Sequence, residues 1–116
     1  MMLKLNFTEN PTAQDMISIV MKDKNLSEKD AVEFSINLEM YGKIVKEGYA
    51  SIAFDLWGHD NPERKWKRLK NPIIEINIDA EKERLIADIA KRENVGTEMA
   101  VGYFLIFMMD SLGYHI

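Results

Sequence analysis

Asp55, His59 and Asp60 fall close together in DLWGHDNP, a grouping that suits a divalent metal or general acid–base work. A protein metal site needs three or four convergent ligands, and the only other histidine is His115. Acid–base catalysis also needs a partner that orients the acting group, and none is identifiable. The stretch is expected to be a surface turn. A second distinctive stretch is ERKWKRLK, Glu63–Lys70. Arg64, Lys65, Lys67 and Arg68 suit phosphate contacts, with Trp66 placed to stack on a base. The competing reading is a solvated linker helix with Trp66 on the core, since charge runs usually face water. Asn61-Pro62 and Asn71-Pro72 bracket this strip and mark it as a discrete inserted element.

The chain has no Gly-rich phosphate loop, no GxSxG and no HExxH. It has no cysteine, which removes disulfides, thiolate metal sites and thiol nucleophiles together. The expectation is a non-enzymatic protein without cofactor or metal. The 116 residues are 47% hydrophobic, enough for one compact domain and too apolar for disorder. The N-terminal stretch does not read as a signal peptide. The longest apolar run, Met99–Met109, is far shorter than the ~20 residues of a membrane span. A cytoplasmic protein without membrane contact is expected. The net charge of −4 is unevenly spread. Residues 1–61 and 73–116 are each acidic, and the basic strip 62–72 lies between them.

The two acidic halves repeat one another. Residues 14–42 slide onto 83–111 with six identities: Ile17/Ile86, Lys22/Lys91, Asn25/Asn94, Ala31/Ala100, Val32/Val101 and Met40/Met109. Composition alone would give roughly two. Six further pairs are apolar in both halves, among them Phe34/Tyr103 and Leu38/Phe107. With a two-residue adjustment, LKLNFT (3–8) falls on IEINID (74–79), and both alternate apolar with polar as half-buried strands do.

In the second half Asp79 is the expected N-cap, with Glu81 and Glu83 in the first turn. Leu85, Ile86, Ile89 and Ala90 share one helical face. Asn94 ends that helix, Thr97 is expected to cap a second one over 98–112, and Gly113 to close it. In the first half Asn10 caps, Pro11 takes the first helical position, and Met16, Ile17 and Val20 form the stripe. Ser27 caps the next helix, which Gly48 is expected to stop. Residues 32–40 raise a conflict, because Val32, Phe34, Ile36, Leu38 and Met40 alternate with polar residues as a strand would. The cap, the Gly stop and the second half favour helix. The alternative is a small α+β domain whose antiparallel sheet includes 31–41. Met99–Met109 reads as a helix apolar on all sides, in the core or as a surface for self-association.

Strand–helix–turn–helix, with a small or hydroxyl residue opening the second helix, resembles the ribbon-helix-helix family. The residues that carry the likeness are IEINID, AEKERLIADIAKREN and VGTEMAV, together with LKLNFT and LSEKDAVEFSINLEMYGKIVKEG. The resemblance implies a mainly α fold with short β strands, in which two copies pair antiparallel strands into a ribbon that enters the DNA major groove. Two copies in one chain would form an intramolecular pseudo-dimer, as in tandem accessory proteins of conjugative plasmids. The units would be residues 1–48 and 73–116, sharing one core and joined by a linker at 49–72. The resemblance places base reading at Lys4, Asn6, Glu75 and Asn77, and phosphate anchoring near Ser27, Lys29 and Thr97. Glu75 departs from the base-reading pattern, although a Glu can accept from cytosine, and Glu28 and Glu98 depart at the phosphate-anchoring positions, because carboxylates repel phosphate. The implied function is a DNA-binding regulator or plasmid or phage accessory protein. The competing function is an acidic protein-interaction module, antitoxin-like or phage-derived, that does not bind DNA.

Overall fold

The computed structural model describes residues 1–59 and 69–114. Among them are β1 (Met2–Asn6), α1 (Pro11–Lys24), α2 (Glu28–Ser35), α3 (Leu38–Glu47), α4 (Ala50–His59), β2 (Ile73–Asn77), α5 (Ala80–Glu93) and α6 (Thr97–Ser111). The fold is mainly helical with one two-stranded antiparallel sheet. Residues 31–41 are not a strand, so the α+β alternative is corrected. Side-chain alternation there lost to hydrogen-bonded capping at Ser27 and Asn37.

The repeated punctuation has a repeated geometry. Asn25 (φ 54°) and Asn94 (φ 53°) both end a helix in the left-handed region, which Asn tolerates better than most residues. In each half the next amide turns back five residues, Leu26 N–H to the Met21 carbonyl (2.9 Å) and Val95 N–H to the Ala90 carbonyl (3.0 Å). These bonds satisfy carbonyls that the helix end leaves open. The N-termini are closed by Asn10, Ser27 and Asp79, whose side chains accept from Ala13, Asp30 and Lys82 amides. Gly113, at φ 90°, closes α6.

Four expectations need correction. Gly96, not Thr97, is the N-cap of α6 and offers no side-chain acceptor; Thr97 is already helical. The helix expected from Ser27 to Gly48 is two helices. Ile36 adopts extended backbone, and Asn37 caps α3 by accepting from the Met40 amide at 2.9 Å. Residues 55–59 are not a turn but the last part of α4, which buries Ala50, Ala53, Phe54 and Trp57. Asp60 lies outside the described residues. Finally, Ala100 to Met109 are all buried by the chain's own elements. Ala100–Met109 thus present no exposed apolar face to a second copy, contrary to the self-association expected through Met99–Met109.

The core is one cluster fed by both halves. α6 runs through its middle and packs against α1, α2, α3, α4 and α5. The approach of α4 depends on Gly102. A Cβ there would lie 2.7 Å from Phe54 Cε2, so only glycine lets the Phe54 ring rest on α6. The linker returns over α1, where Gln14 is buried. Its Nε2 donates to the Phe7 carbonyl (2.8 Å) and its Oε1 accepts from the Leu69 amide (3.1 Å).

Candidate nucleic-acid interface

The ribbon is built from residues that alternate by type. Leu5, Ile74 and Ile76 face the core, while Leu3 is half-buried. Met2, Lys4, Asn6, Ile73, Glu75 and Asn77 face out and are exposed. All four strand residues expected to read bases therefore share the solvent face. The register pairs Met2 with Asn77, Lys4 with Glu75, and Asn6 with Ile73. Lys4 thus lies opposite the residue aligned with it in the other half.

Ladder bonds join Met1 with Ile78 and Phe7 with Pro72. By antiparallel alternation, residues 2, 4, 6, 73, 75 and 77 turn their own N–H and C=O groups outward. Lys4 and Glu75 form a non-hydrogen-bonded pair, the closer of the two pair types, so the ribbon's single cation has a carboxylate beside it.

Two further carboxylates reach the ribbon. Glu98, in the first turn of α6, accepts from the Asn6 amide at 3.3 Å. Glu33, in α2, accepts from the Asn77 amide at 2.7 Å, and Lys82 Nζ donates to the Glu33 carbonyl at 2.6 Å. The C-terminal end of each strand is thus held by the second helical segment of the other half. The Asn6 side chain is turned locally, its Oδ1 accepting from the Thr8 amide (3.0 Å) and hydroxyl (2.6 Å). Among the described residues nothing accepts from its Nδ2.

The residues expected to anchor phosphate are less well placed. The Ser27 hydroxyl oxygen is committed to the Asp30 amide at 3.1 Å. Lys29 is exposed, whereas Thr97 is half-buried at the start of α6, next to Glu98. Arg64, Lys65, Lys67 and Arg68 lie outside the described residues, as does Trp66.

No family model, curated protein or solved structure matches this chain. Among the described residues no cluster of His, Cys, Asp or Glu could hold a metal ion, and no helix is long and apolar enough to cross a membrane.

Two polar contacts gave no sequence signal, because each joins distant segments. Tyr41 on α3 donates its hydroxyl to Asp88 Oδ2 on α5 at 2.8 Å, and Arg92 Nε donates to the same oxygen at 2.8 Å. The Tyr41 bond, followed by Arg92, holds the Asp88 carboxyl below the ordinary carboxylate range. The same bond to Asp88 raises the Tyr41 hydroxyl. The second contact is buried: Trp57 Nε1–H donates to Asp15 Oδ2 at 3.0 Å and ties α4 to α1.

Proposed function

We propose that the two halves form a tandem ribbon-helix-helix unit whose ribbon reads DNA, as in a regulator or a plasmid or phage accessory protein. The observation that supports this most is the register. It centres on Lys4 and Glu75 and sets Lys4, Asn6, Glu75 and Asn77 together on one exposed face. A two-stranded ribbon fits the major groove, where Lys reads guanine, Asn reads adenine and Glu accepts from cytosine. The role is one of binding, and the basic strip is the natural source of phosphate contacts. Fluorescence anisotropy with a pool of duplexes at low and moderate salt tests this. Lys4→Ala with Asn6→Ala should abolish sequence preference while leaving the helical signal intact. Unchanged affinity and preference in that double variant would refute ribbon readout. Neutralising Arg64, Lys65, Lys67 or Arg68 should lower the salt slope by about 1 per residue.

A second reading has its own support. Glu33 and Glu98 hold the ribbon ends, and Glu75 stands beside Lys4, so negative charge lies where phosphates would approach. That favours an acidic protein-interaction module. Absence of DNA binding at low salt, where charge attraction is strongest, would favour it over the first.

A further inference from the structure

The ribbon's internal symmetry axis falls on a position where the halves carry opposite charge. Setting LKLNFT on IEINID aligns Lys4 with Glu75, and the strand register pairs the same two residues. A two-fold operation relating the strands therefore passes through that pair. Identical halves would set one residue against its own copy there, and a charged residue would repel it. The unlike halves lift that constraint. Lys4 and Glu75 stand exposed and side by side, with Cβ atoms about 5 Å apart. Among the described residues no ion pair joins them. Other charged groups bonded to the ribbon sit at its ends, on backbone groups. The Met1 amino group donates to the Ile78 carbonyl (3.0 Å), Glu98 accepts from the Asn6 amide and Glu33 from the Asn77 amide.

The next outward positions, Asn6 and Asn77, are alike in sequence but not in hydrogen bonding. Asn6 Oδ1 already accepts twice, from the Thr8 amide and hydroxyl. The residue aligned with Thr8 is Asp79, which caps α5 and has no hydroxyl to give. Among the described residues the Asn77 side chain makes no hydrogen bond. Asn77 thus keeps both the acceptor and the donor of a bidentate contact to adenine, whereas Asn6 keeps its donor alone. Residues two apart on a strand are about 6.8 Å apart, close to two base-pair rises of about 3.4 Å. A ribbon lying lengthwise in the major groove therefore meets the DNA at intervals of about two base pairs.

We propose, resting on the reading that the ribbon binds DNA, that its site is not a palindrome. Lys4 and Glu75 together read one central G·C pair in a single orientation, and Asn77 reads an adenine about two base pairs to one side. In a G·C pair guanine O6 and N7 accept and cytosine N4 donates along one groove edge. An ammonium beside a carboxylate matches that edge. In the reversed pair, Lys4 would face the cytosine donor and Glu75 the guanine acceptors. Operator symmetry mirrors protein symmetry, and here the protein breaks it at the centre and again at the asparagines.

The test selects bound duplexes from a randomised pool with the full chain at low salt and sequences them. The expected motif has a central G·C with an adenine fixed on one side, and other central pairs bind about tenfold more weakly. Exchanging the charges, Lys4→Glu with Glu75→Lys, keeps composition and net charge and should invert the central pair relative to that adenine. Asn77→Ala should erase the adenine and leave the centre. All three positions are exposed, so the helical signal should match that of the wild type. A palindromic wild-type motif, or a centre that the exchange leaves unchanged, would overturn the inference while DNA reading by the ribbon stood. Binding with no enriched motif would overturn it and leave phosphate contact alone. No binding at low salt would overturn the DNA reading together with it.

Discussion

The second helical segments of the two halves align residue by residue, yet they have opposite fates. α6 is one continuous helix, buried from Ala100 to Met109. Its counterpart is broken at Ile36 and Asn37 into α2 and α3, and much of it faces water. Tyr103 is 4% exposed and its partner Phe34 is 44% exposed. Phe107 is 2% exposed and its partner Leu38 is 58% exposed. An apolar residue at a matching position is therefore not a core residue by type alone. What differs is the surroundings: α4 and α3 both cover α6, and the break at Asn37 turns Leu38 outward and Met40 and Ile44 inward.

The largest test of this contrast is a pair of alanine substitutions. Phe107→Ala should cost about 3–5 kcal/mol, whereas Leu38→Ala should stay within about 0.5 kcal/mol. Denaturant unfolding of both variants decides it, and comparable losses would break the comparison. Next is the contact that α6 makes and α2 does not. Gly102→Val should cost about 1–3 kcal/mol through overpacking against Phe54. Phe54→Leu in the same chain should recover part of that loss, and independent, additive costs would place the strain elsewhere. Third, the helix ends should behave alike despite the different helices that follow. Asn25→Ala and Asn94→Ala each put into the left-handed region a residue that tolerates it less well than Asn, at up to about 1 kcal/mol. Markedly unequal losses would show that the two turns are not equivalent.

The smallest effect concerns the clamp between the halves. Tyr41→Phe should lower the melting temperature by no more than a few degrees and should flatten its pH dependence at both extremes. The signs follow from the directions of the shifts. Asp88 is held low, so its contribution is full above the ordinary carboxylate pKa and is lost as acid protonates it in the folded state. Tyr41 is held high, so its contribution is full below the ordinary phenol pKa and fades as the hydroxyl ionises in the fold. A wild-type chain with the same acid and alkaline limbs as Tyr41→Phe would show that the clamp is silent.

Much of the fold was legible because its signals are local. Strict alternation marked both strands and correctly named their outward residues. Asn10, Ser27 and Asp79 announced helix starts, and the paired Asn25 and Asn94 announced helix ends. The break at Asn37 was hidden, because Asn caps a helix as readily as it sits within an alternating run. The α4 helix was hidden as well. GHDNP carries turn residues, and the contacts that give that segment a place to pack, Phe54 over Gly102 and Trp57 on Asp15, both lie more than 40 positions away in the chain. The candidate interface was half legible. Its outward strand residues follow from the period of two, but Glu33 and Glu98 reach the ribbon across the halves, which no single-chain pattern encodes.

The outward ribbon face is proposed to be the working surface. The most direct measurement is an amide chemical-shift titration of the labelled chain with a DNA duplex pool at low salt. Shifts concentrated at Lys4, Asn6, Glu75 and Asn77, saturating together, are the predicted result. Shifts confined to other surfaces, or none at all, would contradict it.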